Sequence, residues 1–394
     1  MSVLPIDKSI AQRCAVLGLD FDKSNIGEDI RNTLDAAEEF VGYKKDLTLN
    51  LGNSGTGMRL LTGYITGSGK ECTLIGDESL SKRPMDRIAE PLKDWGADIE
   101  LRNQKFSPIK IKSSNLQSDF TYELKIPSAQ IKSCLLLAAL SSKTKIEIIE
   151  NIPTRDHTER MLEECEADIK REGNKIILDG KKGIVKKYID IPGDFSSAAY
   201  LMAANILSAK TNQIENVGVN RTRVAFLEVL EEMGAMVMIK DHSVKSREPR
   251  ANLIAFCKEE LKGVKIDGDR VPNLIDEIPL IAVLAMFAKG KTIVRDAKEL
   301  RYKESDRISL LLSNIKSFNP DMKVHEFDDG FELEPAADKN MEIVKIKTGG
   351  DHRMAMSFMV ASLRSGKKVE FDDMECVETS FPGFFSLIEK WYQQ

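Results

Sequence analysis

The chain has little from which to build a metal centre or a disulfide framework. Its 4 histidines do not cluster, and its 6 cysteines (Cys14, Cys72, Cys134, Cys165, Cys257 and Cys376) form no Cys-x-x-Cys pair. That usage argues against a zinc site and fits reduced structural thiols in the cytoplasm. A basic excess is lacking as well: the formal net charge of −5 argues against a nucleic-acid or membrane-surface binder. The start, Met-Ser-Val-Leu-Pro, has no basic segment leading into an apolar one, so no targeting segment is expected. The longest uncharged apolar run, Ile278 to Ala288, is too short to span a bilayer. No Gly-x-Gly-x-x-Gly follows a strand, and Gly55-Thr56-Gly57 lacks the Gly-Lys-Ser/Thr that completes a phosphate-binding loop. What remains is a soluble globular chain of 394 residues, long enough for two domains of roughly 150–200 residues each.

What is present is a repeat. Six times a polar cluster opens an apolar helix that runs to a Gly/Ser/Lys turn and a short strand. The openings are Asp7-Lys8-Ser9, Asn53-Ser54-Gly55, Ser128-Ala129-Gln130, Asp194-Phe195-Ser196, Asp276-Glu277-Ile278 and Asp351-His352-Arg353. Asp, Asn and Ser are good N-caps, and helices apolar almost all round are buried ones. Asp276 is expected to cap a helix starting at Glu277, and Ser128 to cap its own. Cys134, inside such a helix, reads as a packed core thiol. Amphipathic helices lie between, over 29–41, 83–95, 155–164 and 221–233, ending near Gly42, Gly96, Glu166 and Gly234. The last three ends are nearly evenly spaced, whereas Gly42 to Gly96 is clearly shorter, so the first repeat is abbreviated. Six α/β units, three per half, predict two similar domains, 1–190 and 191–394, with the boundary near Tyr188–Pro192.

One densely charged stretch, Glu299 to Ile308, leaves a short strand (Thr292-Ile293-Val294) at a turn, the kind of place where binding residues sit on a rigid scaffold. On a helix, Lys303 and Arg307 would share one face with Glu304 beside them. Cations also recur near the helix starts: Lys8, Arg13, Arg59, Lys132 and Arg353, with Arg83 and Arg155 further on. Helix N-termini offer free N–H groups and a positive dipole end. Together they suit a ligand, or two ligands, carrying several negative charges.

These segments resemble the 5-enolpyruvylshikimate-3-phosphate synthase family from about Pro5 to Lys390. The resemblance is carried by Asp7-Lys8-Ser9-Ile10, Leu51 to Thr56, Gly76 to Leu80 with Arg83-Pro84-Met85, Pro127 to Gln130 and Thr154 to Glu159. It continues through Ile275-Asp276-Glu277, Arg301 to Arg307, Asp351 to Ala355 and Thr379 to Pro382. It implies an α/β fold: a two-domain inside-out α/β barrel of six βαβαββ units closing over its substrates. The implied reaction transfers the enolpyruvyl group of phosphoenolpyruvate to the 5-hydroxyl of shikimate 3-phosphate, without metal or organic cofactor. By resemblance Asp276 and Glu304 form the acid/base pair, Asp276 serving the hydroxyl, and Lys8 contacts both substrates. Ser9, Arg13, Ser128, Ala129, Gln130, Arg155, Asp276 and Lys303 map to shikimate 3-phosphate. Asn53, Gly55, Arg83, Gln130, Arg307 and Arg353 map to phosphoenolpyruvate. Gly55 would leave room for phosphoenolpyruvate or glyphosate. Small-molecule substrates and a monomer are expected.

The chain departs from the family's pattern at its start. Ile6 stands for the usual Gly, and Ala11 and Gln12 for Ser and His. The usual first strand has no counterpart before Pro5, and the stretch from Gly42 to Leu47 is cut down. Thr379 stands where some members carry Lys. Alternative readings are the sister enzyme acting on UDP-N-acetylglucosamine, whose loop cysteine has no counterpart here, and a catalytically impaired anion-binding relative. An RNA-end-modifying relative fits least, for want of an aromatic stacking platform.

Overall fold

A computed structural model describes residues 4–337 and 343–392. The first three residues, part of the start where no targeting segment is expected, lie outside the described residues. The chain divides into two compact units. One comprises residues 7–191 with 245–248; the other comprises 4–6, 192–244 and the residues from 249 on.

The first unit opens with α1 (Lys8–Leu17), whose start is capped by the Asp7 carboxylate accepting from the Ile10 amide, and α2 (Glu28–Val41). Two longer repeats follow. The first holds β1 (Thr48–Asn50), α3 (Gly55–Gly67), β2 (Cys72–Ile75), α4 (Asp86–Asp94), β3 (Ile99–Arg102) and β4 (Phe106–Ile111). The second holds β5 (Phe120–Glu123), α5 (Ala129–Ser142), β6 (Lys145–Ile149), α6 (His157–Glu164), β7 (Asp168–Glu172) and β8 (Lys175–Asp179). Their sheets share one plan, β1-β2-β4-β3 and β5-β6-β8-β7. The first pair is parallel, joined through a buried helix, and the rest is antiparallel. Among the described residues, α1 and α2 have no such sheet of their own.

α3 and α5 touch backbone to backbone. A Cβ on Gly63 would lie 2.0 Å from the Cys134 carbonyl oxygen, and one on Gly67 would lie 2.2 Å from that of Ala138. Cys134 is fully buried there, and burial pushes its thiol up to about 12, which suits a packing residue and no nucleophile.

The second unit repeats the theme with α7 (Phe195–Leu207), β9 (Ile214–Gly218), α8 (Ala225–Glu232), β10 (Met236–Lys245) and β11 (Glu248–Phe256), in a sheet ordered β10-β11-β9. Then come β12 (Lys265–Ile266), α9 (Ile278–Ala285), β13 (Thr292–Val294), α10 (Arg307–Phe318), β14 (Lys323–Phe327) and β15 (Gly330–Glu334). This sheet, β12-β13-β15-β14, has the plan of the two in the first unit. A parallel pair, β16 (Ile343–Ile346) and β17 (Lys368–Phe371), flanks α11 (His352–Ser365), and α12 (Phe384–Tyr392) follows. Every residue of α7 and α9 is buried, as their unbroken apolar faces require.

The amphipathic helices α4, α6 and α8 stop alike: Gly96, Glu166 and Gly234 all have positive φ (104°, 61° and 90°). Glu166 thus takes a left-handed conformation where the other two repeats use glycine.

Two local expectations are corrected. The helix expected from Glu277 begins at Ile278, with Pro279 in its first turn. Its N-cap is Glu277, without a side-chain cap hydrogen bond, so Asp276 lies outside the cap. Lys303 and Arg307 do not share a helix face: a 3-10 turn ends at Tyr302, Lys303 is extended, and α10 starts only at Arg307.

Candidate active site

In the first unit three helix starts are tied together by side chains. Gln12 of α1 donates from Nε2 to Ser54 Oγ (2.6 Å), which caps α3, and lies 3.3 Å from both Thr33 Oγ1 and the Asp29 carbonyl. Gln130 of α5 donates to Thr56 Oγ1 of α3 at 3.0 Å. Arg13 is buried and spends three nitrogens on Thr158 Oγ1 (2.7 Å), the Ser9 carbonyl (2.7 Å) and Ser133 Oγ (2.8 Å). Burial lowers its pKa to about 10; Glu159 and Asp7 oppose that drop, and nearby Arg155 adds to it. Arg13 therefore braces α1, α5 and α6.

Lys8 and Ser9 are half-buried at the start of α1, where Lys8 Nζ pairs with Asp29 Oδ2 at 2.8 Å. Ser128 caps α5 by accepting from the Ile131 amide, with Ala129 and Gln130 half-buried beside it. Half-buried Arg155 follows Thr154, whose hydroxyl and amide both donate to Glu150 Oε1. Arg83 donates to Asn53 Oδ1 and to Ser79 Oγ (3.1 Å), and Asn53 in turn donates to Asp77 Oδ2. A Cβ on Gly55 would lie 3.1 Å from Arg83 Nη1, so any side chain there presses on that guanidinium.

Two cations expected among the anion ligands are directed elsewhere. Arg59 bonds the Gly55 and Pro84 carbonyls. Lys132 is fully buried between Glu150 and Glu159, 2.7 Å from each. Burial pushes the Glu159 carboxyl up, and Lys132 opposes that rise.

In the second unit the corresponding helix starts meet through charge. Asp276, between the 3-10 turn at 268–273 and α9, directs Oδ1 toward Lys303 Nζ (3.6 Å), Arg307 Nη1 (3.7 Å) and Arg353 Nη2 (3.9 Å). Its Oδ2 is 3.8 Å from Arg223 Nη1, and its backbone carbonyl accepts from Arg353 Nη1 at 2.7 Å. Arg307, the first residue of α10, bonds Asp351 through Nε (2.7 Å) and Nη2 (3.1 Å), and Glu304 Oε2 through Nη2 (2.5 Å). Asp351 also caps α11, so one carboxylate fixes the starts of α10 and α11.

Burial opposes the charge of Arg307, but Asp351 and Glu304 raise its pKa above the usual value. Arg353 is raised likewise against burial, by Asp276, Tyr200 and Glu277. Lys303 is lowered by burial and by Arg307, with Asp276 opposing. Arg307 Nη1 and Arg353 Nε are buried without a hydrogen bond to any described residue. An unsatisfied buried donor costs about 1–3 kcal/mol, which an oxygen of an anionic ligand can offset.

Sequence reasoning missed Arg223 and Ser196 here. The amphipathic helix expected over 221–233 starts only at Ala225, so both arginines lie in the turn before it; Arg221 is exposed, but Arg223 is 3% exposed. Among the described residues, no group of three or more His, Cys, Asp or Glu side chains could hold a metal ion, and no helix is long and apolar enough to cross a membrane.

Repeated sheets around buried helices, with cations and carboxylates gathered at the helix starts, define the two-domain α/β fold of the enolpyruvyl transferases. The chain resembles the enolpyruvyl transferase NikO of Streptomyces tendae over 99% of its length and 94% of that chain (TM-score 0.73); at 13% identity this shows the fold alone. The family model for EPSP synthase (3-phosphoshikimate 1-carboxyvinyltransferase) matches residues 8–388, and this chain belongs to that family. The EPSP synthase structure from Acinetobacter baumannii is 34% identical, with a TM-score of 0.80, covering 98% of this chain and 94% of that one. The 3-phosphoshikimate 1-carboxyvinyltransferases of Lactococcus lactis and Petrotoga mobilis are 36% and 37% identical, each covering 98% of this chain and 95% of the relative.

Proposed function

We propose that this chain transfers the enolpyruvyl group of phosphoenolpyruvate to the 5-hydroxyl of shikimate 3-phosphate, releasing phosphate. The observation that carries the reading is Asp276, a carboxylate with four cations between 3.6 and 3.9 Å of its oxygens, in a member of this family. Two phosphorylated acids repel each other, and a dense cation set offsets that repulsion and holds them for reaction.

The hydroxyl oxygen attacks C2 of phosphoenolpyruvate while its proton passes to Asp276. The C3 methylene gains a proton from Glu304, with Lys8 assisting. The tetrahedral adduct then loses phosphate from C2 and a proton from C3, which restores the double bond. Two carboxyls among unequal neighbours can hold different protonation states, as the two roles require. Arg155, Lys303, Arg13, Ser9, Ser128, Ala129 and Gln130 are assigned to shikimate 3-phosphate. Arg83, Arg307, Arg353, Asn53, Gly55 and Gln130 are assigned to phosphoenolpyruvate. Residues 1–190 and 191–394 would act as the two domains of a monomer, and the scattered free thiols support a cytoplasmic location.

The test is to follow phosphate release and the enolpyruvyl product with both substrates, then with UDP-N-acetylglucosamine replacing shikimate 3-phosphate. Turnover that needs shikimate 3-phosphate supports the reading. Turnover with the UDP-sugar instead assigns the sister reaction, and tight phosphate-ester binding without turnover assigns an impaired relative.

A further inference from the structure

Arg223 is buried, and its placement is specific. The turn before α8 is held by the Asn220 side chain, which accepts from the Thr222 amide and hydroxyl at 3.0 Å each, and by the Arg223 amide donating to the Asn220 carbonyl at 2.8 Å. From that turn the guanidinium donates through Nη2 to Ser196 Oγ at 2.5 Å and lies through Nη1 3.4 Å from Glu277 Oε1. Ser196 Oγ donates to the same Glu277 oxygen. Nη1 also lies 3.8 Å from Asp276 Oδ2.

The two oxygens of Asp276 are thus divided. Oδ1 faces Lys303, Arg307 and Arg353, which the reading above assigns to substrates. Oδ2 faces Arg223, which is anchored to Glu277 and Ser196. Substrate anions will draw on the first three cations, whereas Arg223, held by Glu277 and Ser196, stays beside Asp276. We propose that Arg223 is a positioning residue, fixing the rotation of the Asp276 carboxylate and keeping it ionised when substrates occupy the other cations. This rests on the assignment of Asp276 as the base.

The charged groups facing Asp276 include Arg223, Lys303, Arg307 and Arg353, with Glu277 next in the chain and Glu304 behind Arg307. Loss of one cation among these favours the protonated carboxyl. Arg223→Gln should lower kcat about 10- to 100-fold, with both Michaelis constants within about threefold, and move the acidic limb of the kcat–pH profile upward. Arg223→Lys should recover part of the rate, since it keeps the charge without the forked geometry.

Removing Arg223 alone also leaves Glu277 as a buried, undercompensated charge, which destabilises the fold. The double variant Arg223→Gln/Glu277→Gln removes both charges and separates the two effects. The proposal predicts that its melting temperature recovers while kcat stays low, the acidic limb returning only part of the way because loss of the Glu277 charge favours the ionised Asp276. Recovery of kcat together with stability, or an unmoved acidic limb in both variants, would overturn it. Asp276→Asn run alongside keeps the failures distinct: if that variant is fully active, it is the base assignment that falls.

Discussion

In the first unit a neutral hydrogen-bond network joins helix starts alongside the Lys8–Asp29 and Lys132–Glu159 ion pairs, whereas in the second unit ion pairs dominate. Gln12, Ser54, Thr33, Gln130 and Thr56 bind α1, α2, α3 and α5 without any change of charge. At the equivalent place in the second unit, Asp276, Glu277, Glu304 and Asp351 face Arg223, Lys303, Arg307 and Arg353. Neutral hydrogen bonds hold shape and tolerate a wide pH range. Paired charges in a poorly solvated place are worth more per contact and respond to every added anion. The same repeat thus carries a neutral hydrogen-bond network in one unit and a denser set of ion pairs in the other.

The largest effect should come from the carboxylates of the charged junction. Asp276→Asn and Glu304→Gln should each lower kcat by about 10²–10⁴-fold in steady-state assays, and Glu304→Gln should also raise the Michaelis constant for phosphoenolpyruvate through Arg307. Next, Arg353→Ala should raise that constant by about tenfold or more, the loss of one charge-assisted contact; a wild-type value would remove the assignment. A smaller effect concerns pH. Lys303 is depressed by burial, so its charge is present at low pH and is lost as pH rises through a value below the ordinary lysine range. kcat/KM for shikimate 3-phosphate should therefore decline early on the alkaline side, and Lys303→Arg should move that limb upward. Smallest for catalysis is Ser54→Ala at the neutral junction, which removes a cap and the partner of Gln12. It should cost about 1 kcal/mol of stability in a melting experiment while kcat changes little.

The repeat was legible because it is written in local chemistry. Asp7, Ser54, Ser128, Asp194 and Asp351 are all N-caps, and the apolar helices behind them are buried. The fifth start misled because Pro279 belongs to the first turn, leaving Glu277 as the N-cap and Asp276 turned to the cations. The charged stretch misled for a similar reason: its spacing suits a helix, but the chain there is a 3-10 turn and an extended residue. Lys132 and Arg223 show the harder limit. Lys132 sits at a helix start like an anion ligand yet is consumed by Glu150 and Glu159, whose approach depends on the folded sheet β5-β6-β8-β7. Arg223 and Arg221 lie two residues apart in one turn, and no local pattern tells the buried one from the exposed one.

If the charged junction performs chemistry and is not there merely to hold ligands, Asp276 should matter more to turnover than to binding. This is tested most directly by titrating shikimate 3-phosphate into Asp276→Asn calorimetrically and assaying turnover on the same preparation. The expected result is a dissociation constant within about tenfold of wild type, the loss of roughly one contact, with turnover nearly abolished. Binding lost while the residual rate at saturation stays near wild type would contradict it.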